Sequence, residues 1–131
     1  MSIFLAIALQ LVAVPYANAD DAFAARVTLG KSIETGPTGP AYQKALWGKL
    51  TDPMTVALKG CLAHNAPADT TPFTLVADVR PDGQPSHVAV QPATPVANCL
   101  ANWFTSTLLP APPPLAHAAI YPIEIDVSIT P

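Results

Sequence analysis

The most regular pattern in the chain lies near its carboxyl end. Apolar side chains occupy every second position from Tyr121 to Ile129, and Glu124, Asp126 and Ser128 fall between them. A period of two is typical of a strand that buries one face and exposes the other. The pattern predicts a strand with a fixed register, because a shift by one residue would bury both carboxylates.

An earlier segment predicts a β-hairpin. Apolar and polar residues alternate from Phe73 to Val79, and a second short run passes through Val88 and Val90. The intervening Pro81-Asp82-Gly83 is a tight-turn signal, because glycine adopts positive φ without strain. We therefore expect two antiparallel strands.

Two segments have a helical period instead. Asp52-Pro53 is a helix-start signal, and the apolar stripe behind it contains Cys61. Thr94-Pro95 repeats that signal before a second stripe, which contains Cys99 and Trp103-Phe104. The fit of the aromatic pair to this stripe predicts that it packs in the core rather than forming an exposed binding site.

The segment before residue 52 is less regular. A short helix is expected over residues 40–50, after a Gly- and Pro-rich loop. Residues 20–40 leave two interpretations open. Ala25, Val27 and Leu29 alternate like a short strand, whereas Asp20-Asp21 could equally cap a helix.

Together these elements predict an α+β fold. A right-handed crossover through the second helix places the last strand beside the first. The result is a three-stranded antiparallel or mixed sheet, a split β-α-β arrangement in the order 2-1-3, with helices packed on one face. Pro122 supports an edge position for the last strand, where a missing N–H is tolerated.

The amino terminus predicts export. An apolar run from Ile3 to Val14 is followed by Pro15 and the small-residue cleavage pattern Ala17-Asn18-Ala19. A retained membrane anchor is the alternative, although about a dozen apolar residues fall short of the ~20 of a spanning helix. The expected organisation is a signal peptide over residues 1–19, an N-terminal segment over 20–51, and an α+β domain over 52–131. The expected location is the periplasm or the exterior, without membrane insertion after cleavage.

Cysteine content and charge narrow the function classes. Cys61 and Cys99 are the two cysteines, and an even count behind an export signal predicts a disulfide between the two helices. Two free buried thiols are the alternative. The formal net charge is −3 and there is no basic cluster, which argues against nucleic acid or anionic membrane surfaces as partners.

No catalytic or cofactor site is predicted. The histidines His64, His87 and His117 match no compact metal motif, so we expect neither a metal nor a cofactor. Asp78, Glu124 and Asp126 should share the solvent side of the sheet, where a solvated face is the simplest interpretation. No glycine-rich phosphate loop or nucleophile elbow is present. The chain is therefore not expected to be an enzyme.

From Cys61 to Ile129 the chain resembles the TonB C-terminal domain, and more closely the cysteine-bearing relatives of that domain. The resemblance lies in the order of elements: a helix with Cys61, a strand–Asp82-Gly83–strand hairpin, a helix with Cys99, a proline-marked exit and a closing strand. It implies a sheet with helices on one face, and protein binding through the sheet edge. Without the long proline-rich spacer of the energy transducers, the resemblance is to a stand-alone exported module.

The sequence thus leaves two hypotheses. The first is a non-enzymatic module that binds a protein of the cell envelope through the last strand and the polar sheet face. Its candidate contact residues are Asp78, Tyr121, Glu124, Asp126 and Ser128. The alternative is a small periplasmic inhibitor or immunity-type protein that blocks an enzyme, which the same length, disulfide and mildly acidic charge would fit.

Overall fold

The computed structural model describes residues 19–130, which form three α-helices and three β-strands. In chain order they are α1 (Ala19–Glu34), α2 (Gly39–His64), β1 (Phe73–Val79), β2 (Pro85–Gln91), α3 (Pro95–Thr105) and β3 (Tyr121–Val127). The expected α+β class is confirmed. Among these residues no helix is both long and apolar enough to cross a membrane.

The three strands form one sheet in the order β2-β1-β3, as predicted. Both pairs of neighbours are antiparallel, and Leu75 in the central strand lies opposite Val90 on one side and Ile125 on the other. Since β3 pairs only with β1 among the described residues, its second side is an open sheet edge.

The main core lies between one face of the sheet and the helices α2 and α3. Every second residue of β3 points into it, and Ile123 and Ile125 are almost fully buried. Burying each such side chain stabilises the fold by roughly 1.5–3 kcal/mol. The Cys61–Cys99 disulfide joins α2 to α3, so this prediction is also confirmed.

Helix α2 is longer than the sequence pattern predicts. The predicted start at Asp52-Pro53 is wrong, because a single helix continues through Pro53, which lies inside it. A proline in a helix interior costs one backbone hydrogen bond. Buried residues on both sides of it, including Leu46, Leu50 and Met54, offset that cost. The expected boundary between residues 51 and 52 falls within this helix.

The ambiguous segment after residue 19 is a helix, and it lies on the sheet face opposite the main core. Phe23, Val27 and Ile33 are half-buried along one side of α1, and Gly30 is buried. Helices therefore cover both faces of the sheet. Residues 1–18 of the predicted signal peptide lie outside the described residues.

Candidate functional site

In the part of the chain that the structure describes, the outer edge of β3 is unpaired, and it is exposed to solvent at Asp126 and Ser128, whereas Pro122 and Glu124 are buried. Arg80 N–H donates to the Gln84 carbonyl at 3.0 Å, and Ser86 Oγ donates to the Asp78 carbonyl at 3.3 Å. The even-numbered residues of β1 therefore direct their backbone groups toward β2, and the odd-numbered ones toward β3. Since Asp78 pairs with Pro122, the even-numbered residues of β3 direct theirs outward. Pro122 thus sits where its missing N–H costs no ladder bond.

A groove runs beside the carboxyl-terminal half of this edge. Its volume is about 220 Å³, and it lies between α2 and the end of β3. Apolar and hydroxyl side chains of α2 line one side of it, and the end of β3 with Ser128 lines the other: Trp47, Thr51, Met54, Thr55 and Leu58 lie opposite Ile125, Asp126, Val127 and Ser128. Trp47 is 38% exposed although it is the largest side chain on the helix. The edge and the groove form one continuous surface, which we call the β3–α2 groove.

The second face of β3 is covered rather than solvated. The expectation that Glu124 lies on a solvent-exposed face is wrong, since Glu124 is only 6% exposed. It packs beneath α1 at Gly30, where an added Cβ would lie 2.7 Å from the Glu124 Cβ. Asp126, two residues further along the strand, remains exposed. A glycine at this point lets the helix backbone approach the strand closely.

Three carboxyl groups and one ammonium group meet at this contact. Burial, a hydrogen bond with Asp126 and the negative charges of Asp126 and Glu34 raise the pKa of Glu124 to about 7, against the opposing effect of Lys31. The hydrogen bond with Glu124 lowers the pKa of Asp126, and Thr74 Oγ1 donates to its carboxylate at 2.9 Å. Burial raises the pKa of Glu34. These opposite shifts favour a protonated Glu124 beside an ionised Asp126.

A second polar cluster joins the amino-terminal half of α1 to the hairpin. Arg26 donates to the His87 carbonyl at 2.6 Å and lies 3.8 Å from the Asp78 carboxylate, which also contacts His87 Nδ1 at 3.2 Å. His87 has a positive φ of 50° and sits in a β-bulge, where two residues of β2 oppose one of β1. Asp78 thus faces α1 as a helix anchor, with its side chain 16% exposed.

The remaining predicted contact residues separate into core and surface. Tyr121 is buried with its ring centroid 4.7 Å from that of Tyr42, so its side chain contributes to the core. Burial and the neighbouring Tyr121 raise the pKa of Tyr42 to about 12, and its hydroxyl donates to the Pro110 carbonyl at 3.0 Å. Ser128 is exposed and borders the β3–α2 groove.

The aromatic pair of α3 lies where the sequence pattern places it. Phe104 is fully buried, and Trp103 is half-buried against the core. The three histidines are exposed and lie on different elements, with His64 Nδ1 2.7 Å from the Gly60 carbonyl at the end of α2. Within residues 19–130, no group of three or more histidine, cysteine or acidic side chains could hold a metal ion.

Trp47 and Gly30 shape this region, but neither is among the contact residues predicted from the sequence. Trp47 follows the helical stripe imperfectly, and only the position of α2 beside the edge shows that it borders a groove. Gly30 lies in the segment that the sequence leaves ambiguous, and the local pattern does not show that it sets the distance between α1 and β3. In each case the missing information is which face of the sheet a helix covers.

Comparison with known proteins adds no relative. No protein-family model, curated protein or solved structure matches the chain.

Proposed function

We propose that this chain is an exported, non-enzymatic module that binds an extended segment of a partner protein along the outer edge of β3. The observation that carries the proposal is the open edge of β3 beside the β3–α2 groove. Outward-directed N–H and C=O groups of an edge strand can template one more strand. A groove beside them supplies the side-chain pockets that give such binding its selectivity.

The two faces of the sheet beside this edge differ in polarity, and this difference predicts which side chains the partner segment carries. A strand added to β3 would present alternate side chains to opposite faces of the sheet. On one face they would meet the apolar groove beside Met54 and Leu58. On the other they would meet Asp126, whose carboxylate is ionised and 60% exposed. We therefore expect an extended segment with apolar residues on one side and a lysine or arginine opposite Asp126.

The direct test removes one outward N–H. Asp126→Pro deletes the N–H that we place at the open edge, whereas Asp126→Ala deletes only the carboxylate. The partner is recovered from envelope extract with the wild-type domain, and its affinity for both variants is measured. Asp126→Pro should bind at least tenfold more weakly than Asp126→Ala, provided that both variants fold. Equal affinity for the two folded variants would assign binding to another surface.

The same edge could instead pair with a second copy of this chain. Sedimentation of the purified domain separates the two cases, because strand addition between copies makes the mass depend on concentration. A dimer that is lost in Asp126→Pro and retained in Asp126→Ala would replace the partner protein by a second copy. A monomer at all concentrations leaves the edge available for a different protein.

Export is part of the proposal and has its own support. The disulfide between α2 and α3 is of the kind that persists in oxidising compartments. The small-residue pattern Ala17-Asn18-Ala19 favours cleavage before Asp20. N-terminal sequencing of the protein from the cell envelope should therefore begin at Asp20. A chain that still begins at Met1 would indicate a retained anchor.

A further inference from the structure

Glu124 is a carboxyl group enclosed between a helix and a sheet. Its side chain projects toward α1 from the middle of β3, where the backbone of Gly30 lies against its Cβ. One carboxyl oxygen, Oε1, is buried and has no hydrogen-bond partner among the described residues. Burying an ionised carboxylate without full hydrogen bonding carries a large desolvation cost, and the neutral acid carries much less. The enclosure therefore suits the protonated form.

The charged groups around Glu124 do not compensate a negative charge there. From α1, Glu34 adds a like charge and Lys31 an opposite one, while Asp126 on β3 adds a second like charge. Lys31 lies 3.9 Å from the Asp126 carboxylate, so its charge is shared. On β1, directly opposite Glu124, the paired residue is the apolar Val76.

The other charged groups facing α1 lie at a different point of the contact. Asp78 on β1 is occupied by Arg26 of α1 and by His87 of β2. Asp78 pairs with Pro122, which is two residues from Glu124 along β3. This cluster anchors the amino-terminal half of α1. Lys31 is therefore the cation among the described residues that opposes a negative charge on Glu124.

We propose that α1 is a pH-dependent cover, which docks on the sheet while Glu124 is a neutral acid and is released when Glu124 ionises. Release would uncover Val76 and Pro122, which are buried in the docked state. It would also separate Asp126 from Lys31, which lies 3.9 Å from its carboxylate in the docked state. The proposal is independent of whether β3 binds a partner strand.

The direction of the pH dependence follows from the titration of Glu124. Burial first, and then the hydrogen bond and charge of Asp126, raise its pKa from the ordinary 4.5 to about 7 when α1 is docked. The docked state therefore prefers the protonated acid. The resulting stabilisation of the docked helix is present in full below pH 4.5, decreases as the pH rises toward 7, and is absent above pH 7. Between pH 5 and pH 8 the docking equilibrium should fall roughly tenfold or more.

Amide hydrogen exchange along α1 measures docking directly. Protection factors for residues 23–33 are compared at pH 5 and pH 8 in the full chain, after correction for the intrinsic exchange rate at each pH. The central strand β1 serves as the internal reference. We expect α1 to lose at least tenfold in protection at pH 8, with a smaller change in β1. Protection of α1 that is the same at both pH values would overturn the proposal.

Substitutions identify the group responsible. Glu124→Gln preserves the shape of the side chain and cannot ionise, so α1 should remain equally protected at both pH values. His87→Gln is the matched control, because it removes the imidazole that contacts Asp78, the carboxylate beside Arg26 of the same helix. It should retain the loss of protection at pH 8. If the loss persists in Glu124→Gln and disappears in His87→Gln, the cluster at Asp78 controls α1 and the proposal is wrong.

Discussion

Gly30 of α1 lies directly against Glu124 of β3, so closely that a Cβ at residue 30 would stand 2.7 Å from the Glu124 Cβ and 3.2 Å from its backbone nitrogen. Because of this contact, α1 covers the sheet face opposite the main core at Glu124. The helix backbone occupies the space that would otherwise make Glu124 a solvated strand residue. Asp126, just beyond the contact, remains exposed at the edge.

Replacing Gly30 by alanine should weaken the packing of α1. The added methyl group overlaps the strand, and overpacking of this kind costs roughly 1–3 kcal/mol. Amide exchange along α1 should therefore accelerate, while the protection of β1 changes little.

Gly48→Ala is the matched control for that substitution. No atom lies within 4 Å of a Cβ added at Gly48, which is also helical. Alanine there should stabilise the domain by about 0.5–1 kcal/mol in chemical denaturation. Equal protection of α1 in wild type and Gly30→Ala would show that the close contact does not set the helix position.

Trp47→Ala should weaken partner binding with little loss of stability. The indole borders the β3–α2 groove, is partly exposed, and donates only to Gln43 on its own helix. Val56→Ala provides the control, because Val56 is 70% exposed on the same helix and does not line the groove. We expect a loss of affinity of about tenfold or more for Trp47→Ala, as for an aromatic anchor at an interface. An equal effect of both variants would contradict a role for the groove.

The disulfide should supply a large part of the stability of the domain. It closes a loop between residues separated by 38 positions, for which the chain-entropy estimate is about 3–4 kcal/mol. Chemical denaturation of the Cys61→Ala, Cys99→Ala double variant measures this contribution. Wild-type protein under reducing conditions should match the variant. Two free thiols in mass spectrometry of the exported protein would instead show that the bridge does not form in the cell.

Much of the fold follows from local sequence patterns. The turn at Gly83 has the predicted positive φ, and Thr94 caps α3 by accepting from the Ala97 N–H at 3.1 Å. The sheet order could also be derived, because Pro122 favours an edge strand and a crossover through α3 is expected to be right-handed. These features depend on nearby residues and on simple handedness rules.

The candidate site could be predicted only in part, because it depends on which helix covers which face. Alternation along β3 gives the two faces, but it does not show that α1 buries Glu124 and leaves Asp126 exposed. Pro53 is a start signal in the sequence, yet packing on both sides of it continues the helix. The β3–α2 groove exists because this longer helix passes beside the strand edge, which no local pattern encodes.

Strand addition at β3 is tested most directly by amide exchange at single residues of β3 with and without the recovered partner. The N–H group of Asp126, which is exposed at the edge, should be unprotected by the sheet in the free domain and become protected at least tenfold on binding. The N–H groups of Ile123 and Ile125, which face β1, should already be protected and change little. Unchanged exchange at Asp126 in the saturated complex would contradict the account.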